Sequence, residues 1–312
     1  MNAKPGSPLL TIVIPIYNEG KILPSMAPPL IEFCRAKDWL IIFVNDGSVD
    51  ETRRILEGLD PSPRVRAIHH KVNRGYGGAL KTGISKVTTP YLVTMDGDGQ
   101  HNHEDVERVF QFARANDADL VVGKRDRKNA SSTYRSLGKL LIRSFTRILM
   151  PLPITDLNSG FKFYRTDLAQ RYITVCPDSM AFSDVITLVF LNERHLVLEC
   201  PIQVSPRRLG KSKIGTLTAF ETLIQVLNTT VMFNPLRVFL PISLVCILAG
   251  LGWGLPIVLL GRGVSVGAML AIVTGLLFFV LGLLASQLSA IRMERLRNLT
   301  NDSRDRNGSA GN

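Results

Sequence analysis

At about 150 residues per domain, the 312-residue chain has room for one large domain or two small ones. Its 37 Lys+Arg against 26 Asp+Glu leave a net charge of +11, and its 46% hydrophobic content excludes a mostly disordered chain. The four cysteines (Cys34, Cys176, Cys200, Cys246) lie far apart with no Cys-x-x-Cys, which argues against a disulfide scaffold or a cysteine-type zinc site and points to a reducing compartment.

In chain order, the opening stretch MNAKPGSPLLTIVIP has no apolar run of signal-peptide length, so nothing there predicts export. Short β-rich apolar runs predict strands over Leu10–Ile16, Leu40–Asn45, Val65–His69, Tyr91–Met95 and Leu120–Gly123. Between them, helical spacing predicts helices over Lys21–Lys37, Asp50–Leu59, Gly75–Val87 and Glu104–Asn116. This βαβα order implies an α/β fold, a parallel sheet with helices on both faces. Such sheets bind ligands beyond the carboxyl ends of their strands.

Further on, Tyr134–Pro153 places Arg135, Lys139, Arg143 and Arg147 in a basic stripe beside Leu140, Leu141, Phe145 and Ile148. It reads as a helix lying in a membrane interface; the competing reading is a surface helix packed on its own sheet. Leu217–Phe233 is a weaker candidate of the same kind, with almost no positive charge.

Two uncharged apolar runs follow, Val238–Leu260 and Val266–Ser286. Each is long enough to cross a hydrocarbon core of roughly 30 Å at about 1.5 Å per residue, and neither has the polar face expected of a soluble core helix. They predict a transmembrane hairpin. Arg262 is the only basic residue between them, whereas Arg207, Arg208, Lys211, Lys213 and Arg237 precede the pair and Arg292, Arg295, Arg297, Arg304 and Arg306 follow it. The positive-inside rule then puts the main domain and both termini in the cytoplasm. The expected division is a catalytic domain over 1–213, a juxtamembrane linker over 214–236, the hairpin over 237–290 and a basic, disordered tail over 291–312.

The most chemically suggestive cluster is TMDGDGQH, with Asp96, Asp98 and Gln100 just after a predicted strand. Hard oxygen ligands spaced this way suit Mg²⁺ or Mn²⁺, which keep open positions for phosphate oxygens. The competing reading is an ordinary Asp-Gly turn. His101 and His103 read as a solvated loop or a helix cap. In FVNDGSVDET, Asp46 can accept hydrogen bonds from a base or ribose, and Ser48 or Asp50 can cap the next helix. The first strand ends in IPIYNEG, where Tyr17 can border a nucleobase. NRGYGGALKTG is Gly-rich and opens a helix, so its backbone can approach a ligand closely. It is not a GxGxxG, since Leu80 stands at the third glycine. Gly210–Ser212 is not a Walker A, since the earlier glycine is Ser205.

Together these stretches resemble the family 2 glycosyltransferases of GT-A fold, in the polyprenyl-phosphate branch that contains the dolichol-phosphate mannose synthases. The matching segments are TIVIPIYNEG, FVNDGSVDET, NRGYGGALKTGI, VTMDGDGQH, DLNSGFKFYRTDL and RRLGKSKIG, in family order across residues 10–215, followed by the two membrane helices. The resemblance implies a GT-A (Rossmann-like), mostly parallel sheet flanked by helices. It implies that Pro15, Tyr17, Glu19 and Asp46, with Asp96, line the nucleotide sugar. Asp96, Asp98 and Gln100 would hold a divalent cation on its diphosphate. Asp98, Asp156 and Arg125 would serve catalysis, with Arg125 meeting phosphate, and Arg135, Arg208, Ser212 and Lys213 would bind the acceptor phosphate. Two departures are Asn45, where Asp is usual, and Lys124, where Ser is commoner.

The implied reaction is inverting transfer of a hexose, glucose or mannose, from a UDP- or GDP-linked donor to polyprenyl (undecaprenyl or dolichyl) phosphate at the membrane face. A cation and arginines would stabilise the departing diphosphate. A lipid phosphate, with a second pKa near about 6, is already ionised and needs positioning more than a base. Asp156 is nevertheless a candidate general base, its competing readings being a helix cap or a salt bridge to Arg165. A hydroxyl lipid acceptor would make such a base, Asp156 or Asp184, indispensable. A catalytically silent, membrane-anchored nucleotide-sugar-binding module is the third reading. A processive synthase is excluded because neither Trp39 nor Trp253 sits in Gln-x-x-Arg-Trp. Nucleic acid is not an expected partner, since no aromatic-basic platform accompanies the positive charge. The bilayer is, and a homo-oligomer is left open.

Overall fold

The computed structural model describes residues 8–59, 63–125, 154–204, 231 and 234–308. They fall into two compact units, an α/β unit up to residue 204 and a C-terminal helical unit from residue 234.

The α/β unit runs β1 (Leu10–Ile16), α1 (Leu23–Lys37), β2 (Leu40–Asn45), α2 (Thr52–Glu57), β3 (Val65–His69), α3 (Tyr76–Ile84), β4 (Tyr91–Thr94), α4 (His103–Ala115), β5 (Leu120–Arg125), β6 (Lys162–Arg165), α5 (Thr166–Tyr172), α6 (Phe182–Asn192) and β7 (Val197–Ile202). All seven strands join one sheet in the order β3-β2-β1-β4-β6-β5-β7. The five predicted strands are present and, with β7, give parallel pairs; β6 is antiparallel to both β4 and β5.

Neither β6 nor β7 was predicted. β6 is four residues long and opens on a lysine, with Thr94 opposite Lys162 and Val93 opposite Phe163. Its alternation sends Phe161 and Phe163 into the main core and Lys162 to the other face of the sheet. The main core lies between the sheet and α1, α2 and α4. Leu10, Ile12, Ile14 and Ile16 of β1 meet Leu23, Ala27, Leu30 and Cys34 of α1 and Val106, Val109 and Phe110 of α4. The period-two pattern on β1 and the helical spacing on α1 and α4 are what aim these residues at one another. The opposite face carries α3, α5 and α6, which pack together.

The C-terminal unit is a helical hairpin of α7 (Leu236–Leu259) and α8 (Val266–Gly308). Mean hydropathy reaches 2.3 in α7 and 2.6 over Val266–Ile291 of α8, yet only 11% and 17% of those apolar windows are buried. An exposed apolar surface of that extent is unfavourable in water and suits a lipid surround. The two helices approach closely at glycines: a Cβ at Gly250 would lie 2.6 Å from Ile272 Cγ1, and one at Gly275 would lie 2.6 Å from Ile247 Cγ1. The tail expected to be disordered from residue 291 is helical as far as Gly308. A helix that leaves an apolar segment needs no new nucleation, and the good helix formers of ERLRNL extend it until Asn307-Gly308.

Candidate active site

The site is built at the carboxyl ends of β1, β2 and β4, where the three turns are tied to one another. After β1, Asn18 adopts a positive φ of 55° and its Oδ1 accepts the Val49 amide at 2.9 Å, while its own amide donates to Ser48 Oγ at 2.9 Å. The Glu19 amide donates to Thr52 Oγ1 at 3.0 Å and the Gly20 amide to Asp50 Oδ2 at 3.0 Å. Asp50 also accepts the Thr52 amide at 3.0 Å; the N-cap position of α2 itself is Glu51, whose side chain makes no capping bond. The Asp50 carboxyl lies below the ordinary value: partial burial opposes this, and the Thr52 and Gly20 hydrogen bonds outweigh it. Tyr17 stands at the rim, 47% exposed.

Asp46, expected at the base and ribose, is 3% exposed, and its contacts make it an anchor for residues 70–75. Its Oδ1 accepts from His70 Nδ1 at 2.7 Å and the Arg74 amide at 2.8 Å; its Oδ2 accepts the Gly75 amide at 2.9 Å. His70 Nε2 in turn meets Thr82 Oγ1 at 2.9 Å on α3. Neighbouring Asn45 accounts for its own departure from the family pattern. Its Oδ1 accepts the Ser48 amide at 3.0 Å and its amide nitrogen meets His69 Nδ1 at 3.1 Å. Burial holds the His69 pKa below its usual value, with Arg53 adding to the effect, so the ring is a neutral acceptor that an Asn amide can serve as donor.

The Gly-rich loop packs closely on the 177–178 backbone. Gly75 has φ 89°, and a Cβ there would lie 2.5 Å from Asp178 O; a Cβ at Gly77 would collide with Pro177 O. The loop is closed by Gly78 N donating to Asp178 O at 3.2 Å and by Lys81 Nζ to Asp178 Oδ1 at 2.6 Å.

Asp96, Asp98 and Gln100 share the turn after β4. Pro15 lies against this turn, since a Cβ at Gly97 would lie 2.8 Å from Pro15 O. Asp98 Oδ1 accepts the Gln100 amide at 3.1 Å. Asp96 keeps 33% of its side chain exposed; its Oδ1 accepts the Tyr76 hydroxyl at 2.8 Å, and His101 Nε2 stands 3.7 Å from its Oδ2. Burial acts to raise the Asp96 pKa, but His101, Tyr76 and the Arg125 charge outweigh it and hold the carboxyl below its ordinary value. Burial and the adjacent Asp96 push the Tyr76 phenol well above its usual range, so it keeps its proton and donates. His101, expected in a solvated loop, has a side chain only 5% exposed and packs on Phe161 at 5.2 Å. Asn102 takes the capping role, its Oδ1 accepting the Glu104 amide at 3.2 Å.

Among the described residues, no three or more His, Cys, Asp or Glu side chains form a ready-made cation site. The donors that are present, two carboxylates and one amide oxygen on one turn, are the hard type that Mg²⁺ and Mn²⁺ prefer. They are too few to fill six positions, which leaves room for diphosphate oxygens and water.

Arg125 and Asp156 form a second cluster across β5. Asp156, whose side chain is 6% exposed, accepts Arg125 Nε on Oδ2 and Arg125 Nη2 on Oδ1, both at 2.8 Å, and also the Arg125 amide at 3.1 Å. The competing reading of a salt bridge from Asp156 to Arg165 is therefore replaced by a two-pronged pair with Arg125. Arg165 instead meets Asp119 and Asp167, each at 3.4 Å. Glu199 of β7 accepts the Asp156 amide at 2.9 Å and bonds Thr155, with Lys124 Nζ at 3.5 Å from its Oε2.

Beneath this loop lies Lys162, which the sequence did not single out. It is 0% exposed, and its ammonium donates to Leu157 O at 2.7 Å, Thr187 Oγ1 at 2.8 Å and Ser183 O. Burial pushes its pKa down to about 8, against the pull of Asp184 and Asp156. The signal for it was a lysine inside an aromatic strand run. Arg135, Arg208, Ser212 and Lys213, with the basic stretch 134–153 and the stretch 217–233 (Val231 apart), lie outside the described residues.

The chain matches the Glycosyl transferase family 2 signature over residues 11–173 and the GtrB C-terminal hairpin over residues 234–291. It is 27% identical over 296 residues to the undecaprenyl-phosphate 4-deoxy-4-formamido-L-arabinose transferase of Sodalis glossinidius, covering 90% of this chain and 89% of that one. It is 28% identical over 227 residues to the polyprenol monophosphomannose synthase of Mycolicibacterium smegmatis, covering 69% of this chain and 84% of that one. In fold it is similar to glucosyl-3-phosphoglycerate synthase of Mycobacterium tuberculosis, crystallised with Mn²⁺, UDP and phosphoglyceric acid. The TM-score is 0.54 at 15% identity, covering 72% of this chain and 78% of that one.

Proposed function

The chain belongs to glycosyl transferase family 2, and from that premise we propose that it transfers a hexose, glucose or mannose, from a nucleoside diphosphate sugar to polyprenyl phosphate, inverting the anomeric centre. The protein is a glycosyltransferase with a C-terminal membrane-anchoring hairpin. Its placement at the cytoplasmic face, with both termini cytoplasmic, and its division at residues 213, 236 and 290 belong to the proposal.

One observation favours a phosphate acceptor over a hydroxyl one: Asp156, a candidate base, is already engaged by three hydrogen bonds from Arg125. A lipid alcohol would need a strong base at the attacking oxygen, whereas a lipid phosphate is ionised at neutral pH and attacks without one. The names of both relatives, each acting on a polyprenyl-type phosphate, agree.

A divalent cation held by Asp96, Asp98 and Gln100 would neutralise charge on the leaving diphosphate. The Mn²⁺ and UDP of the fold neighbour support that reading. Arg125, whose charge already acts on Asp96, adds positive potential beside that turn. Pro15, Tyr17 and Glu19, on the turn tied to 48–52, would border the nucleoside. Asp46 would act through the loop it anchors. The sequence-based assignment of Arg135, Arg208, Ser212 and Lys213 to the acceptor phosphate completes the reading.

The test incubates detergent-purified protein with Mn²⁺ and labelled UDP- and GDP-hexoses, with polyprenyl phosphate, with diacylglycerol or with no lipid, and then extracts into organic solvent. Label should reach the organic phase only with polyprenyl phosphate. Equal transfer to diacylglycerol would replace the proposal with glycolipid synthesis.

A further inference from the structure

Residues 70–78 join the two halves of the donor-side site, and Tyr76 is where they meet. We propose that Tyr76 is a positioning residue for the cation-binding turn, its hydroxyl holding the Asp96 carboxylate in the orientation from which that turn takes a divalent cation. The inference rests on the cation reading of Asp96, Asp98 and Gln100 given above.

Tyr76 is the first residue of α3 and donates to Asp96 Oδ1 at 2.8 Å. Its backbone is fixed from two directions. Asp46 holds the amides of Arg74 and Gly75 immediately before it, at 2.8 and 2.9 Å. The 177–178 backbone holds the glycines on either side of it, where neither Gly75 nor Gly77 has room for a side chain. The phenol is thus delivered by a segment with little freedom to move.

Among the described residues, the carboxylate it meets is constrained elsewhere by bulk and by a longer contact. A side chain at Gly160 would collide with Asp96, and His101 Nε2 is 3.7 Å from Oδ2, beyond hydrogen-bond length. The Tyr76 bond is the short, directional one. A carboxylate oxygen accepts more than one bond, so Oδ1 keeps acceptor capacity for a cation while Tyr76 fixes its angle. Partners of this kind, which touch a ligand of the metal and not the metal itself, typically change metal affinity about 10–100-fold when removed. The same segment makes Asp46 a remote contributor to the cation turn, through residues 74–76.

The experiment compares the full-length, detergent-purified wild type with Tyr76→Phe, which keeps the ring and removes only the hydroxyl. Two readouts are titrated with Mn²⁺: transfer to polyprenyl phosphate, and the unfolding midpoint with UDP and GDP both present. The expected result is a half-saturating Mn²⁺ concentration about tenfold or more higher in both, with turnover recovering at high Mn²⁺ and the midpoint in chelator unchanged. Identical Mn²⁺ dependence in the two proteins overturns the proposal. So does a fall in turnover that excess Mn²⁺ does not restore, which assigns Tyr76 a structural role alone. A wild type whose midpoint and transfer ignore Mn²⁺ overturns the cation reading first and this proposal with it.

Discussion

The turn after β4 and the loop before β6 each present an aspartate near the carboxyl end of the sheet, Asp96 and Asp156, and their surroundings treat them oppositely. Asp96 keeps a third of its side chain exposed and, among the described residues, is held by one short bond, from Tyr76. Asp156 is 6% exposed and takes three hydrogen bonds from Arg125 alone, while Glu199 fastens the adjacent amide. A carboxylate with open acceptor sites can take a cation; one saturated by a guanidinium fork is a strut. The turn after β4 therefore leaves its aspartate with acceptor capacity, and the 154–160 loop fastens its aspartate to Arg125. Proximity to the sheet end alone does not make an aspartate reactive.

The largest effect that would break this contrast comes from Arg125→Ala. Removing it leaves the Asp156 charge buried without its fork, which should lower unfolding stability by about 2 kcal/mol; Arg125 is itself a third exposed, so the loss falls short of the 3–5 kcal/mol typical of a fully buried pair. An unchanged denaturation midpoint would mean that Asp156 is not held as a strut.

Lys162→Met sharpens the same side. The wild-type lysine has its folded pKa pushed from 10.5 down to about 8, so the unfolded chain binds more protons between those values. Wild-type stability should therefore rise as pH climbs from about 8 toward 10.5, by up to about 3 kcal/mol, and below pH 8 the penalty is fully present. The methionine variant should lack that rise in parallel pH melts. If both proteins respond alike, Lys162 is not a charged support of the loop.

Asp156→Asn should have the smallest effect, a fall in turnover of about tenfold or less with the shape of the pH–rate profile kept. Loss of the acid limb would return Asp156 to the role of general base.

β1 to β5 were legible because they are apolar runs ended by turn residues, as in IVIPIYNEG and IIFVNDGS, and the first four helices fell within a few residues of their expected bounds. β6 was hidden because Lys162 interrupts its apolar pattern, and the acceptors that make that lysine tolerable inside are Leu157 O and, from 21 and 25 residues further along the chain, Ser183 O and Thr187 Oγ1. At the site, the oxygen donors of TMDGDGQH were readable from local chemistry. Partnerships were not. Asp46 with His70 and Arg74, Tyr76 with Asp96, and Arg125 with Asp156 each join segments separated by 20 or more residues, so no local pattern announces them. The helical continuation to Gly308 was likewise misread, because a polar composition says little about a helix already nucleated upstream.

The most direct test of a cation-anchored donor is transfer by Asp98→Ala beside the wild type, each with Mn²⁺ and with chelator, at saturating nucleotide sugar and polyprenyl phosphate. The wild type should lose transfer in chelator, and the folded variant should be slower by on the order of 10²-fold or more even with Mn²⁺. Full-speed glycosylation of the lipid by Asp98→Ala in the presence of chelator would contradict the account.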